Sequence, residues 1–64
     1  MRLKEAREQA NMTQYELAKA AGVSVAAICR YEKGERTPRL RVAKRIGRIL
    51  GIPWPEVIDN RRAG

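Results

Sequence analysis

The chain has 64 residues, and 14 lysines and arginines stand against seven aspartates and glutamates, which gives a formal net charge of +7. This length allows one domain at most, near the lower limit for folding alone. With no histidine and one cysteine, Cys29, the usual general base, the usual metal ligand and an intrachain disulfide are missing, so we predict no enzyme activity, no cofactor and no metal site.

The N-terminal sequence MRLKEAREQA lacks the apolar core of a signal peptide. No apolar segment approaches the roughly 18 residues that a membrane-spanning helix needs. We therefore expect a cytoplasmic protein without a membrane partner.

The first helix is predicted over residues 1–10, where one helical face repeats at i, i+3, i+4 and i+7: Leu3, Ala6, Arg7 and Ala10. Asn11 fits a left-handed cap after it. Thr13 and Glu16 match a capping box, so a second helix should begin just after Thr13 and end at Gly22. Its buried face would consist of Leu17, Ala18 and Ala21.

The third helix is predicted within GVSVAAICR and the residues after it, from an N-cap at Ser24 to about Lys33, with Gly34 as the C-terminal cap. Five consecutive apolar residues at 25–29 could also indicate a strand, but alanine is a poor strand former. At about 100° per residue the apolar run divides between two faces. The inward face would hold Ala27, Ile28 and Tyr31, joined by Val23 from the turn. The outward face would hold Ala26, Cys29, Arg30 and Lys33, with Val25 at the margin.

The loop GERTPR follows, with Pro38 near the start of a fourth helix. The apolar stripe of that helix would consist of Leu40, Ala43, Ile46, Gly47 and Leu50. Gly51 ends it, and WPEVID is a short fifth helix with Pro55 in its first turn. Residues 60–64 are expected to be a frayed tail. Without any strand alternation, the predicted fold class is all-α.

Most of the positive charge falls within residues 30–48, where eight lysines and arginines stand against Glu32 and Glu35. Such a stretch suits a phosphate backbone or an anionic lipid, or it forms a solvated face.

Several motifs stand in one order along the chain: MTQYELAKAAGVS, then Ile28, Tyr31, Glu32 and Gly34 at fixed spacing, then Pro38 and LGI at 50–52. In these motifs the chain resembles the phage-repressor helix-turn-helix family of the Cro/CI or XRE type. The resemblance implies a compact, lambda-repressor-like five-helix bundle with one Cro/CI-type domain over residues 1–59. Helices two and three would form the helix-turn-helix, with helix three (about 24–33) in the major groove of DNA.

The resemblance also implies roles for individual residues. The base-reading positions fall on Ser24, Val25, Ala26 and Arg30. The phosphate-contacting positions fall on Gln14, Lys33, Arg36 and Arg39. Arg7 and Glu32 match a structural salt bridge between helices one and three.

Simpler alternatives stand beside these roles. Gln14 could be an ordinary first-turn residue, Arg30 a solvated cation, and Ser24 first of all an N-cap. Cys29 would be a small filler beside the DNA surface, with a redox role less favoured. Many relatives carry polar residues where this chain has Val25 and Ala26. These two can only pack on thymine methyl groups, so Arg30 would make the main hydrogen bonds, to guanine, and DNA shape would supply much of the specificity.

The favoured function is therefore a sequence-specific, double-stranded DNA-binding regulator, most simply a repressor, bacterial or phage-encoded and associated with the nucleoid. One recognition helix covers few base pairs, so a palindromic operator and a homodimer, at least on DNA, are expected. A possible dimer surface comprises Trp54, Val57 and Ile58. The same three residues could instead close the core, the role favoured for Trp54. The alternative function is an antitoxin or another module that neutralises a protein partner. A membrane-surface peptide fits poorly, because helix packing claims the apolar faces.

Overall fold

The computed structural model describes residues 3–58, and local capping groups mark both ends of its second and third helices. The helices are α1 (Leu3–Gln9), α2 (Gln14–Ala21), α3 (Val25–Lys33), α4 (Leu40–Leu50) and α5 (Trp54–Ile58), and no strand occurs within the described range. The predicted all-α fold with five helices is confirmed. The predicted tail at 60–64 and the predicted domain limit at 59 lie outside the described residues.

The caps of α2 and α3 are formed as the sequence predicts. The Thr13 hydroxyl accepts a hydrogen bond from the Glu16 amide (3.0 Å), and the Glu16 carboxylate accepts one from the Thr13 amide (2.8 Å). The Ser24 hydroxyl accepts from the Ala27 amide at 3.0 Å. Asn11 has a positive φ of 57°, so it turns the chain after α1 in the left-handed conformation. Each end is therefore stabilised by groups within one helical turn of it.

The core is assembled from one large, fully buried side chain per helix: Leu3, Leu17, Ile28, Ile46 and Val57. Small residues fill the space between the helices: Ala18, Ala21, Ala27 and Ala43. Burying a single aliphatic side chain of this size contributes about 1.5–3 kcal/mol. Because no helix supplies two of the five, none of the helices has a core of its own, and the fold depends on their mutual packing.

Helices α4 and α5 pack closely because Gly47 has no side chain. A Cβ atom at Gly47 would lie 2.6 Å from the carbonyl oxygen of Ile52 and 3.3 Å from the amide nitrogen of Trp54. Gly47, in the middle of α4, thus contacts the backbone at the start of α5 directly. This close packing places Val57 in the core.

Three residues of the predicted apolar patterns are exposed. Leu40 is 48% exposed, because it lies in the first turn of α4 at the edge of the buried face. Ala10 is exposed, since α1 ends at Gln9. Trp54 is 41% exposed, so it does not close the core as favoured; the smaller Val57 of the same helix fills that place.

Candidate nucleic-acid interface

The helix-turn-helix consists of α2, a three-residue turn at 22–24 and α3. Gly22 has φ 74°, a left-handed conformation that glycine adopts without a steric penalty. The next residue, Val23, is half-buried against the core, and its amide donates to the carbonyl of Ala18 at 3.0 Å. Ser24 then caps α3. This turn brings the side chains at the start of α3 to the surface while Ala27 and Ile28 enter the core.

The outer face of α3 is apolar and small at its N-terminal end and basic at its C-terminal end. Val25 is 40% exposed, and Ala26, Arg30 and Lys33 are exposed as well. Cys29 is partly buried between them. The Ser24 hydroxyl uses its oxygen for the cap, and its O–H can still donate. The division of the apolar run into two faces is thereby confirmed, and an approaching surface would meet methyl groups first and cations one turn later.

A buried ion pair joins α1 to α3. The Arg7 Nε donates to a Glu32 carboxylate oxygen at 2.6 Å, and the two side chains are 10% and 6% exposed. A second guanidinium nitrogen of Arg7 donates to the carbonyl of Met12 at 2.7 Å, in the segment that leads to α2. The salt bridge expected between Arg7 and Glu32 is therefore present, and it also holds the connection between α1 and α2.

Gln14 takes part in the same network. Its side-chain amide nitrogen donates to the Glu32 carboxylate at 2.9 Å, which fixes the amide between α2 and α3. The backbone amides of Gln14 and Tyr15 are in the first turn of α2, where amides have no partner within the helix. Unpartnered amides at a helix N-terminus form a favourable environment for a phosphate. The arrangement can therefore hold an anion at the start of α2 while Gln14 is braced against α3.

Two of the remaining predicted phosphate contacts lie after Gly34. Arg36 is exposed in the loop, and exposed Arg39 is the N-cap residue of α4, without a side-chain capping bond. With Lys33 at the end of α3, these side chains form a basic path from the recognition helix towards α4. Exposed Glu35 lies between Lys33 and Arg36 in the sequence, whereas residues 37 and 38, between Arg36 and Arg39, are uncharged.

The possible dimer surface needs a correction. Val57 is fully buried in the core, so it cannot contact a second molecule in the folded protein. Trp54 is 41% exposed and Ile58 is partly buried, so these two retain apolar surface. Sequence periodicity could not separate the three residues, because a helix of five residues is too short to show a clear face.

Two residues near the interface were not predicted. Tyr15 follows Gln14 and is 63% exposed. Arg45 in α4 donates to the carbonyl of Ala21 at 3.3 Å, at the C-terminal end of α2. Arg45 and Ala21 are 24 positions apart, and no local pattern indicates their contact.

A metal site and a membrane-spanning helix are both absent from the described part of the chain. No three histidine, cysteine, aspartate or glutamate side chains among residues 3–58 are grouped as a metal site would require. None of the helices in this range combines the length and apolar character needed to cross a membrane.

Comparison with known proteins agrees with this geometry. A family model described as helix-turn-helix matches residues 3–57. An HTH-type transcriptional regulator of Archaeoglobus fulgidus is 48% identical over 56 residues, which are 88% of this chain and 79% of that protein. The HTH-type transcriptional regulator YqaF of Bacillus subtilis is 42% identical over 52 residues, which are 81% of this chain and 68% of that protein.

A more distant relative is the cryptic phage CTXphi transcriptional repressor RstR of Vibrio cholerae. It is 25% identical over 59 residues, which are 92% of this chain and 53% of RstR. The present chain thus spans about half the length of that repressor. From the family match, the identity to these relatives and the geometry of α2 and α3, the chain belongs to the helix-turn-helix family.

Proposed function

We propose that this helix-turn-helix protein is a sequence-specific, double-stranded DNA-binding transcriptional regulator, and that it represses by occupying a promoter with α3 in the major groove. The observation that carries the proposal is the outer face of α3. Its exposed residues have no role in the core, yet its orientation is fixed by the Ser24 cap and by the ion pair of Arg7 with Glu32. The regulator would act in the cytoplasm, on DNA of the nucleoid.

Base recognition in this proposal is coarse. Val25 and Ala26 pack on thymine methyl groups, and Ser24 donates its hydroxyl to a base edge. Arg30, one turn further along α3, donates two hydrogen bonds to a guanine. Two aliphatic side chains and one arginine distinguish few base pairs, so the shape and deformability of the DNA would supply much of the remaining specificity.

Contacts to phosphates would fix the position of α3 along the DNA. Gln14 and the free amides of the first turn of α2 would bind one phosphate. Lys33, Arg36 and Arg39 would bind the backbone beyond the other end of α3. Such contacts give affinity for any sequence, and they account for the position of the positive charge immediately after the recognition helix.

A homodimer on a palindromic operator is the assembly we propose, because one α3 covers too few base pairs for useful specificity. Trp54 and Ile58 are the apolar side chains left for that contact once Val57 is assigned to the core. Half-sites would be separated by about one helical turn, roughly 34–36 Å, or a multiple of it.

The decisive experiment is selection of bound sequences from a random duplex pool. We expect an enriched motif with two inverted half-sites, each containing a guanine next to thymines. Affinity for the selected duplex should fall steeply with salt, with a slope of log K against log salt of about −0.9 for each phosphate contacted. A pool that stays random, or an affinity independent of salt, would contradict the proposal.

The second candidate function is neutralisation of a protein partner, as an antitoxin does. The exposed Trp54 beside Ile58 favours it, because the same apolar surface could bind another protein instead of a second copy. Size-exclusion chromatography of the chain, coexpressed with proteins from neighbouring genes, separates the two. A stable complex of fixed stoichiometry supports the partner, and a concentration-dependent dimer of the chain alone supports the homodimer.

A further inference from the structure

Helix α4 carries a face of unpaired positive charge, separate from the outer face of α3. Its sequence, LRVAKRIGRIL, contains no acidic residue. At about 100° per residue, four cations fall within about 100° of one another on its outer side; they are Arg41, Lys44, Arg45 and Arg48, here called the α4 face. All four are exposed. Together with the half-exposed Leu40 they line a groove of about 410 Å³.

Nothing in the described part of the chain neutralises the α4 face. Arg45 has one hydrogen bond, to the carbonyl of Ala21, and no residue of 3–58 places a carboxylate within ion-pair distance of any of the four cations. Like charges three or four residues apart on a helix repel each other and destabilise it. The face therefore weakens the isolated fold, and an anionic partner would remove that repulsion.

The α4 face continues the basic path that leaves the recognition helix. Lys33 ends α3, Arg36 lies in the loop, Arg39 is the N-cap residue of α4, and Arg41 begins the α4 face two residues later. In the proposed function, this path therefore leads from the face of α3 that enters the major groove of DNA to the outer side of α4.

We infer that the α4 face binds the phosphate backbone of duplex DNA flanking the segment that α3 contacts. The inference rests on the proposed function and extends its footprint. From Arg41 to Arg48 the helix rises about 10 Å, and one DNA strand carries a phosphate per about 3.4 Å of axis, so up to three phosphates face this length. A sugar–phosphate ridge fits a groove with cations along it. Leu40 at the beginning of the groove would contact a deoxyribose.

The test compares two variants of equal net charge. Lys44→Gln with Arg48→Gln removes two cations of the α4 face and leaves Arg45 with its hydrogen bond to Ala21. The control, Lys4→Gln with Lys19→Gln, removes two exposed cations of α1 and α2. Affinity is measured against salt on the selected site alone and on the same site extended by about one helical turn, roughly 10 bp, at each end. Circular dichroism verifies that both variants are folded.

We expect the α4 variant to lose about 1.8 from the magnitude of its salt slope on the extended duplex, since each lost phosphate contact removes about 0.9. Raising salt from about 50 to about 200 mM should then cost this variant about tenfold less affinity than the wild type. On the short duplex its slope should equal that of the wild type, and the control should change little on either.

Two results would overturn the inference. One is an α4 variant whose slope on the extended duplex equals that of the control. The other is an α4 variant that keeps the wild-type slope on both duplexes but, unlike the control, no longer binds poly-L-glutamate. That result would assign the α4 face to an acidic polypeptide. Either result leaves base preference intact, whereas failure of the proposed function would abolish base preference in the wild type.

Discussion

Arg7 of α1 and Glu32 of α3 form a buried ion pair, with the guanidinium Nε 2.6 Å from the carboxylate Oε2. The same carboxylate accepts from Gln14 at the first residue of α2. One acidic side chain of the recognition helix therefore links the three helices that precede the basic path. The stability of the fold and the orientation of the outer face of α3 depend on the same group.

Removing one member of this ion pair should be far more damaging than removing both. Arg7→Met removes the Arg7 cation from a buried carboxylate, at a cost of about 3–5 kcal/mol in the free energy of unfolding. Arg7→Met with Glu32→Leu should lie within about 2 kcal/mol of the wild type, since an apolar pair of similar volume replaces two buried charges. Urea denaturation measures both. Additive losses in the double variant would contradict this account.

Gln14→Ala should weaken binding to all DNA sequences alike. The change removes the hydrogen bond to Glu32 and the proposed phosphate contact, and bonds to charged groups contribute about 1.5–3 kcal/mol. We expect a loss of about tenfold or more on both selected and random duplexes, measured by fluorescence anisotropy. Gln9→Ala, at an exposed glutamine of α1, is the matched control. A loss confined to the selected site would show that Gln14 reads a base.

Arg30→Ala should reduce sequence preference rather than general affinity. A bidentate contact to guanine contributes about 1–3 kcal/mol of discrimination, so the selected site should lose about 5- to 150-fold while random duplex changes little. Arg36→Ala, at a proposed phosphate contact, should weaken both duplexes equally. Equal losses from Arg30→Ala on the two duplexes would assign Arg30 to the backbone.

Replacing thymine by deoxyuridine in the selected site tests whether Val25 reads methyl groups. Each contacted methyl group contributes about 0.8 kcal/mol, so the wild type should bind a uracil-containing site about fourfold more weakly per contacted base. Val25→Ser should lose this discrimination at the base that Val25 contacts and keep only the part due to Ala26. If the variant still discriminates thymine from uracil as the wild type does, Val25 only permits close approach.

Gly47→Ala should destabilise the protein although alanine is the better helix former. The helix propensity gain is about 1 kcal/mol. The new Cβ would meet the backbone oxygen of Ile52 at 2.6 Å, and overpacking of this kind costs about 1–3 kcal/mol, because α5 has to shift. Ala20→Gly, at an exposed position of α2, measures the propensity effect alone. A Gly47→Ala protein that resists urea better than the wild type would disprove the close α4–α5 contact.

The five helices and most of their ends were predictable from local signals in the sequence. Thr13 with Glu16, Ser24, Gly22 and Asn11 act on backbone groups within about one turn, so their effect can be read from neighbouring residues. The same holds for the two faces of α3, because each is a matter of helical spacing.

Which apolar and charged side chains are covered depends on the packing of the helices against one another. Val57 is buried while Trp54 and Leu40 are exposed, and Arg45 reaches Ala21 across 24 positions of sequence. Burial depends on which helix packs over a residue, and that packing joins positions far apart along the chain. For this reason the sequence could not separate buried Val57 from exposed Trp54, and the lack of a carboxylate near the α4 face is a property of the fold of residues 3–58.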